Sequence, residues 1–176
     1  MFFKDELKKI RAFIFDVDGV LSHQAQNLTP EGELIRTSCT KDGYAIMYSI
    51  RKGYIVAVIS GGGAPGVQER LEKLGVKRED IYLKVANKVE VLEEIIQRYS
   101  LNKEEIMYMG DDIPDYNIMT QVGLPVCPLD ACEEIKSIAR YISDVIGGEG
   151  CVRDVMAQVL KARGDWMDTS CYVRSM

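Results

Sequence analysis

The sequence predicts an α/β fold, a Rossmann-like parallel sheet with helices on both of its faces. Short runs of bulky, β-favouring residues alternate with segments of helical periodicity, which is typical of successive βαβ units. Gly, Ser and Asp follow several of these runs directly, as they do at the carboxyl ends of parallel strands. The chain has 176 residues, enough to bury the core of one such domain.

Six short apolar runs are the predicted strands. They occupy residues 11–17, 55–59, 81–83, 106–109, 125–127 and 141–142. Helices are predicted where apolar residues recur at helical spacing or where a proline can start the first turn. They occupy residues 65–74, 88–99, 114–123 and 152–163, with one more between the last two strands.

Residues 21–40 interrupt this alternation and predict a protruding β-hairpin. They show no helical pattern, and Pro30 and Gly32 are turn signals near their centre. A two-stranded hairpin is only marginally stable alone in water, so we expect it to pack on other hairpins. Residues 1–164 are expected to form one domain with the hairpin as an insertion, and residues 165–176 a C-terminal tail.

Composition narrows the classes of function. The formal net charge is −5 and no Lys/Arg cluster occurs, which argues against a nucleic-acid partner. No apolar stretch reaches the roughly 20 residues that span a bilayer, so no membrane partner is expected. The five cysteines form no CxxC pair, which suits reduced thiols and a cytoplasmic protein. His23 is the single histidine, which excludes a multi-histidine metal site.

Two carboxylates, Asp16 and Asp18, follow the first strand, and Gly19 lets the chain turn away. Asp16 is the candidate nucleophile toward phosphorus, forming an aspartyl-phosphate. Asp18 is the candidate acid that protonates the leaving alcohol and then deprotonates the attacking water. Mg²⁺ would offset the charge repulsion, with Asp16, Asp111 and the backbone carbonyl of Asp18 as its predicted protein ligands.

Further polar residues follow the other strands and are expected at the same sheet edge. Ser60 and the N–H groups at Gly61 are predicted to bind phosphate oxygens at a helix start. Lys88 is predicted to neutralise the charge of the phosphate and of the nucleophile. Asp115 is expected to orient the ammonium group of Lys88, and Asp112 is a second supporting carboxylate. Together these residue types supply what phosphoryl transfer requires.

At these residues the chain resembles the haloacid dehalogenase superfamily of phosphatases. The matching motifs are residues 16–20, Ser60 with Gly61, Lys88, and residues 110–115. Residues 41–46, 147–153 and 155–164 further resemble its small capless branch, which hydrolyses 3-deoxy-D-manno-octulosonate 8-phosphate (KDO 8-phosphate). The resemblance implies a capless fold and a Mg²⁺-dependent sugar-phosphate monoesterase of KDO and lipopolysaccharide biosynthesis. It also implies a homotetramer in which the hairpin of one subunit helps to close the site of the next.

The resemblance implies substrate contacts as well. They fall on Lys41, Asp42, Gly43 and Arg70, in addition to Asp18, Gly61 and Lys88. Arg153 and the tail around Trp166 are the segments expected to reach a neighbouring subunit's site.

One departure from the family pattern leaves the sugar open. Members of this branch commonly carry an Arg after the Ser/Thr-Gly of the second motif, where this chain has Gly62. A guanidinium is a natural bidentate partner of a carboxylate, so its loss can signal a related substrate such as a nine-carbon keto sugar acid 9-phosphate. A non-catalytic assembly or regulatory module is a third hypothesis. It predicts a damaged nucleophile or acid, whereas Asp16 and Asp18 are both present.

Overall fold

The computed structural model describes residues 3–63 and 65–167. Six strands form one sheet in which all neighbours are parallel, in the order β5-β4-β1-β6-β7-β8. The strands of this sheet are β1 (Ala12–Phe15), β4 (Ile55–Ile59), β5 (Ile81–Tyr82), β6 (Ile106–Met109), β7 (Leu124–Cys127) and β8 (Tyr141–Ile142). Two further strands, β2 (Asn27–Leu28) and β3 (Leu34–Ile35), form a separate antiparallel pair. The chain leaves β1 toward β4 on one side and reaches β6 on the other, so the order reverses between β1 and β6.

Helices cover both faces of this sheet. They are α1 (Phe3–Leu7), α2 (Thr40–Arg51), α3 (Pro65–Lys73), α4 (Lys88–Tyr99), α5 (Tyr116–Met119), α6 (Glu133–Ile138) and α7 (Cys151–Arg163). Three single 3-10 turns occupy Arg78–Asp80, Lys103–Glu105 and Ile113–Asp115. None of the described helices is long and apolar enough to cross a membrane.

The alternation of side chains along β1 explains the layers. Phe13 and Phe15 point into the core under α1, α2, α3 and α7, whereas Ala12 and Ile14 point into the core under α4, α5 and α6. All four are fully buried because successive strand residues face opposite sides and both sides are covered. The predicted α/β fold with a parallel sheet and helices on both faces is confirmed.

Several features differ from the sequence prediction. The helix predicted over residues 114–123 is a 3-10 turn, Ile113–Asp115, followed by the short α5, Tyr116–Met119. The sequence pattern does not predict a helix at Thr40–Arg51, where α2 forms, because residues of low helix propensity occur along it. Packing of α2 against α7 and burial of Ala45 and Ile46 stabilise it instead. The first strand ends at Phe15 rather than at residue 17, although the Asp16 N–H still donates to the Met109 carbonyl across 3.0 Å.

The predicted hairpin is present but smaller than its predicted bounds. Its paired strands, β2 and β3, have two residues each, and the described residues around them are loop. Leu28, Leu34 and Ile35 are 62%, 44% and 50% exposed, so the described part of the chain leaves much of the apolar surface of the hairpin open to solvent. Its base is fixed by Ser22, whose hydroxyl accepts the Thr37 N–H across 3.0 Å.

The glycine-rich turn before α7 braces the segment that follows β1. The Gly148 N–H donates to the Val20 carbonyl across 2.8 Å. A side chain on Gly147 would overlap the carbonyl of Gly19, so the two backbones touch here. The chain just after the two aspartates is therefore held by a turn that lies more than a hundred residues later.

The start of the predicted tail packs against the domain. The Tyr54 hydroxyl donates to a carboxylate oxygen of Asp165 across 2.5 Å, and the Trp166 ring lies 5.4 Å from the Tyr48 ring. Residues 168–176 lie outside the described residues. The division between domain and tail stays a prediction.

Candidate active site

The predicted site residues meet at the carboxyl edge of the sheet, where its strand order reverses. Asp16 follows β1, Ser60 follows β4 and Asp111 follows β6, while Lys88 is the first residue of α4. All four are at least nine-tenths buried. A reversal of strand order opens a crevice at this edge, which is where ligands bind in open α/β sheets.

A buried ammonium joins two of the carboxylates. The Nζ of Lys88 lies 3.0 Å from Oδ2 of Asp16 and 2.7 Å from Oδ1 of Asp115. Asp115 also accepts the hydroxyl of Tyr108 across 2.6 Å. Burial acts to lower the pKa of Lys88, but the charges of Asp16 and Asp115 outweigh it and raise that pKa. Lys88 is therefore a fixed positive charge beside Asp16.

The carboxylates of Asp16, Asp111 and Asp115 form one cluster, with an oxygen of each within 4.8 Å of the others. Burial, followed by the charge of Asp115, raises the pKa of Asp16 to about 6. Burial, followed by the charges of Asp115 and Asp16, raises the pKa of Asp111 to about 7. Burial is the largest cause of both raised pKa values, and the charges of the neighbouring carboxylates add to it.

The donor set fits a hard divalent cation. Carboxylate oxygens are the ligands that Mg²⁺ prefers, and a cation here would relieve the crowding of like charges. Gly19 has φ +82°, and a side chain on it would overlap the Asp111 carboxylate, so its absence keeps this carboxylate in place. Of the predicted ligands, Asp16 and Asp111 lie in the cluster. Asp115 lies there too but is engaged by Lys88 and Tyr108.

The side chain of Asp18 faces the hairpin. Its oxygens accept Nε and Nη2 of Arg36, each across 2.8 Å, and Oδ1 also accepts the Gln26 amide across 2.7 Å. Burial acts to raise the pKa of Asp18, but the hydrogen bonds from Arg36 and Gln26 and the charge of Arg36 hold it below its ordinary value. In this state Asp18 is an ionised carboxylate.

Two openings flank Asp16 and Asp18. One, of about 350 Å³, is lined by Ser60, Gly61 and Lys88 together with Asn87 and Asn117. The hydroxyl oxygen of Ser60 accepts the Gly62 N–H across 3.2 Å, which leaves its proton available to an incoming acceptor. This opening therefore presents a hydroxyl and an ammonium, groups suited to bind an anion.

The other opening, of about 450 Å³, lies on the side of Asp111. Gln24, at the base of the hairpin, donates to Oδ2 of Asp111 across 3.1 Å and to the Asp130 carbonyl across 3.0 Å. Asp112 is exposed, and its carbonyl accepts the Asp115 N–H across 2.8 Å. A supporting role for the Asp112 carboxylate stays a prediction.

Some of the substrate contacts implied by resemblance line a different opening from the one beside Lys88. Asp42, Gly43 and Arg70 line a cavity of about 310 Å³ bounded by the hairpin, α2 and α3, whereas Lys41 is exposed. Oδ1 of Asp42 accepts the Arg153 N–H across 2.7 Å. Their contact with a substrate stays a prediction.

Arg153 is engaged within its own chain. Its guanidinium carbon lies 4.6 Å from the centre of the Trp166 ring and 5.7 Å from that of Tyr44. Its reach to a neighbouring subunit stays a prediction.

Three residues of the site escape prediction from the sequence. Tyr108 looks like one more residue of a buried strand, and its hydroxyl gains a role only through its contacts with Asp115 and Lys88. Gln26 carries no signal at all. Arg36 does carry one, since a guanidinium in a hairpin predicted to rise beside the site is a candidate ligand group.

Comparisons with known proteins point in one direction. The haloacid dehalogenase-like hydrolase family matches residues 67–153. The chain is 33% identical over 157 residues to the KDO 8-phosphate phosphatase of Salmonella typhi, covering 89% of this chain and 82% of that one.

Solved structures agree with this similarity. A KDO 8-phosphate phosphatase from Yersinia pestis superposes with a TM-score of 0.88 at 31% identity, covering 92% of this chain and 86% of that one. The Moraxella catarrhalis enzyme, solved with magnesium ion, phosphate ion and KDO, superposes with a TM-score of 0.87 at 28% identity, covering 93% and 92%.

Proposed function

This chain belongs to the family of KDO 8-phosphate phosphatases within the haloacid dehalogenase-like hydrolases, and we propose on this premise that it hydrolyses KDO 8-phosphate to KDO and phosphate with Mg²⁺. The observation that carries the proposal is the meeting of Asp16, Asp111 and Lys88 at the sheet edge, with Asp18 beside them. The Moraxella catarrhalis relative, a KDO 8-phosphate phosphatase, was solved in complex with magnesium ion, phosphate ion and KDO, which supports this choice of metal and substrate. The nine-carbon alternative has no such support.

Asp16 is the nucleophile in this proposal. Its Oδ1 accepts the Val17 N–H across 2.7 Å and its Oδ2 lies 3.0 Å from Lys88, so the carboxylate is held in one orientation. It attacks phosphorus to form an aspartyl-phosphate while the bond to the sugar oxygen breaks. Mg²⁺ would be held by Asp16, Asp111 and the backbone carbonyl of Asp18, and its charge would offset the repulsion between phosphate and carboxylate.

Asp18 is the general acid and then the general base in this proposal. Asp18 is ionised while Arg36 holds it, so after its release it first takes up a proton from solvent. It then gives this proton to the departing sugar alkoxide and later takes one from the water that hydrolyses the aspartyl-phosphate. Ser60, Lys88 and the Gly61 N–H bind phosphate oxygens in both steps. These three groups line the opening of about 350 Å³. The reaction also requires that Arg36 release Asp18, since both of its oxygens are engaged here.

The assembly proposed is a homotetramer in the cytoplasm. The exposed Leu28, Leu34 and Ile35 support it, because an uncovered apolar hairpin is stabilised by packing on other copies. The four described cysteines are free, as in a reducing compartment. Light scattering on the intact chain tests the assembly, and a monomer that is fully active would exclude a shared site.

The experiment that tests the function is a phosphate-release assay on KDO 8-phosphate. The panel includes a nine-carbon keto sugar acid 9-phosphate and D-arabinose 5-phosphate, each with Mg²⁺ and with excess chelator. We expect kcat/KM to be highest for KDO 8-phosphate and activity to vanish with chelator. A higher kcat/KM for the nine-carbon ester would show that this ester, not KDO 8-phosphate, is the substrate. Full activity in excess chelator would show that the reaction does not need Mg²⁺.

Asp18→Asn separates the two chemical steps. With Asp16 intact, the variant should still form some aspartyl-phosphate from an activated aryl phosphate, whose leaving group needs no proton. It should fail on KDO 8-phosphate, whose alkoxide leaves poorly without an acid. Normal turnover of KDO 8-phosphate by this variant would assign the acid to another group.

A further inference from the structure

A guanidinium from the hairpin occupies the interior of the proposed site. Arg36 follows β3, yet its side chain is only 11% exposed. Its Nε and Nη2 each lie 2.8 Å from an oxygen of Asp18, the two-pronged geometry in which a guanidinium matches a carboxylate. The two parallel N–H donors of a guanidinium match a planar carboxylate better than a single lysine ammonium does.

The turn after β4 leaves room for this guanidinium. A side-chain carbon on Gly62 would lie 2.9 Å from Nη2 of Arg36 and 3.0 Å from Oδ2 of Asp18. The backbone of Gly62 is outside the left-handed region, so conformation does not require glycine there. A side chain at residue 62 would therefore push the Arg36 guanidinium away from its position against Asp18.

Arg36 also borders the cavity of about 310 Å³ between the hairpin, α2 and α3. Arg70, Ser38 and Thr37 contribute polar groups to the same cavity. Arg36 thus lies between the reacting carboxylates and a space that can hold part of an organic substrate.

We propose that Arg36 is a specificity-determining residue that binds the carboxylate of the sugar acid. This inference rests on the proposed function. In the free enzyme Arg36 binds the carboxylate of Asp18. A substrate that brings its own carboxylate exchanges for Asp18 on the guanidinium, and Asp18 is released to act on the leaving oxygen. A phosphate ester without a carboxylate leaves the Arg36–Asp18 pair intact and is turned over slowly.

The test separates recognition of the carboxylate from recognition of the phosphate. The two reaction products, KDO and inorganic phosphate, are used as inhibitors of the wild type and of Arg36→Ala. We expect the inhibition constant of KDO to rise about 10- to 100-fold, as for loss of a charge-assisted hydrogen bond, and that of phosphate to change less than about threefold. With KDO 8-phosphate, kcat/KM should fall by a similar factor. With D-arabinose 5-phosphate, which has no carboxylate, kcat/KM should be kept or rise, because Asp18 is no longer held by Arg36.

Further variants distinguish loss of the Arg36 contact from a structural effect on the hairpin. Gly62→Ala leaves the hairpin sequence intact but places a methyl group where Arg36 lies, so it should weaken KDO inhibition and spare phosphate inhibition. Arg36→Lys should restore part of the affinity for KDO, since it keeps the charge but not the two-pronged contact. Arg78→Ala, which removes an exposed guanidinium elsewhere, is the matched control and should equal the wild type.

Unchanged KDO inhibition in Arg36→Ala, or equal losses of KDO and phosphate inhibition, would overturn the inference. The proposed function fails differently, since it predicts hydrolysis of KDO 8-phosphate by the wild type. A wild type that hydrolyses this ester and an Arg36→Ala variant with unchanged KDO inhibition would leave the function standing and remove only the role of Arg36.

Discussion

The carboxyl edge of the sheet and the hairpin meet at Asp18 but are built in opposite ways. At the edge, Asp16 and Asp111 follow buried strands, and Lys88 is fixed between two carboxylates. The hairpin has two-residue strands and exposed apolar side chains, yet it sends Arg36 into the site. The comparison teaches that bond-making groups lie on rigid elements, whereas the group proposed to select the substrate lies on a segment that can change without altering the sheet.

The largest loss of activity is expected from a substitution at the carboxyl edge of the sheet. Asp16→Asn keeps the shape of the side chain but removes the proposed nucleophile, so we expect turnover of KDO 8-phosphate to fall by at least roughly 10³-fold. Phosphate release measures the loss, and thermal unfolding checks that the fold remains. Asp144→Asn, an exposed aspartate after β8, is the control and should keep full activity. Near-normal turnover in Asp16→Asn would exclude it as nucleophile.

A smaller effect is expected at the proposed metal ligand. Asp111→Ala removes one charged ligand from a site with few protein ligands, so the Mg²⁺ concentration for half-maximal activity should rise about 10- to 100-fold. Activity at saturating Mg²⁺ should recover in part. An unchanged Mg²⁺ requirement would place the cation elsewhere.

Substitutions on the exposed face of the hairpin should affect assembly most and activity less. Leu28→Ser combined with Ile35→Ser makes its exposed surface polar while leaving Arg36 in place. Light scattering should show the proposed tetramer dissociating, with kcat/KM for KDO 8-phosphate falling several-fold and thermal stability of the single domain nearly kept. A tetramer that survives this double variant would place its interface away from the hairpin.

The smallest effect is electrostatic and appears without metal. Burial and the neighbouring carboxylates raise the pKa of Asp111 from 3.8 to about 7. A raised carboxyl pKa means that the stability it contributes is full below pH 3.8 and is lost as the pH rises through about 7.

Asp111→Asn, which cannot ionise, should therefore stabilise the metal-free protein more at pH 8 than at pH 5, by roughly 2 kcal/mol. Denaturant unfolding in chelator measures the difference. An equal gain in the free energy of unfolding at both pH values would show that ionisation of Asp111 does not destabilise the metal-free protein.

The sequence predicts the edge of the sheet better than the hairpin, for a physical reason. Strand ends of a parallel sheet are brought together by topology, so Asp16, Ser60 and Asp111 can be placed near one another from order along the chain alone. The pairing of Asp18 with Arg36 depends instead on how a loop folds back, which no periodicity encodes. The hydroxyl of Tyr108 is hidden for a related reason, because a buried strand residue is predicted to serve packing.

The contact between Gly147 and Gly19 has a consequence for biosynthesis. The ribosome makes the four motifs well before it reaches the turn at Gly147 and Gly148, whose backbone holds the segment after Asp16 and Asp18. A nascent chain that ends near residue 140 therefore carries every proposed reacting group but lacks the brace that fixes two of them. The enzyme acquires its working shape only in the last part of its synthesis, so a phosphatase truncated before this turn is expected to be inert toward the metabolites around it.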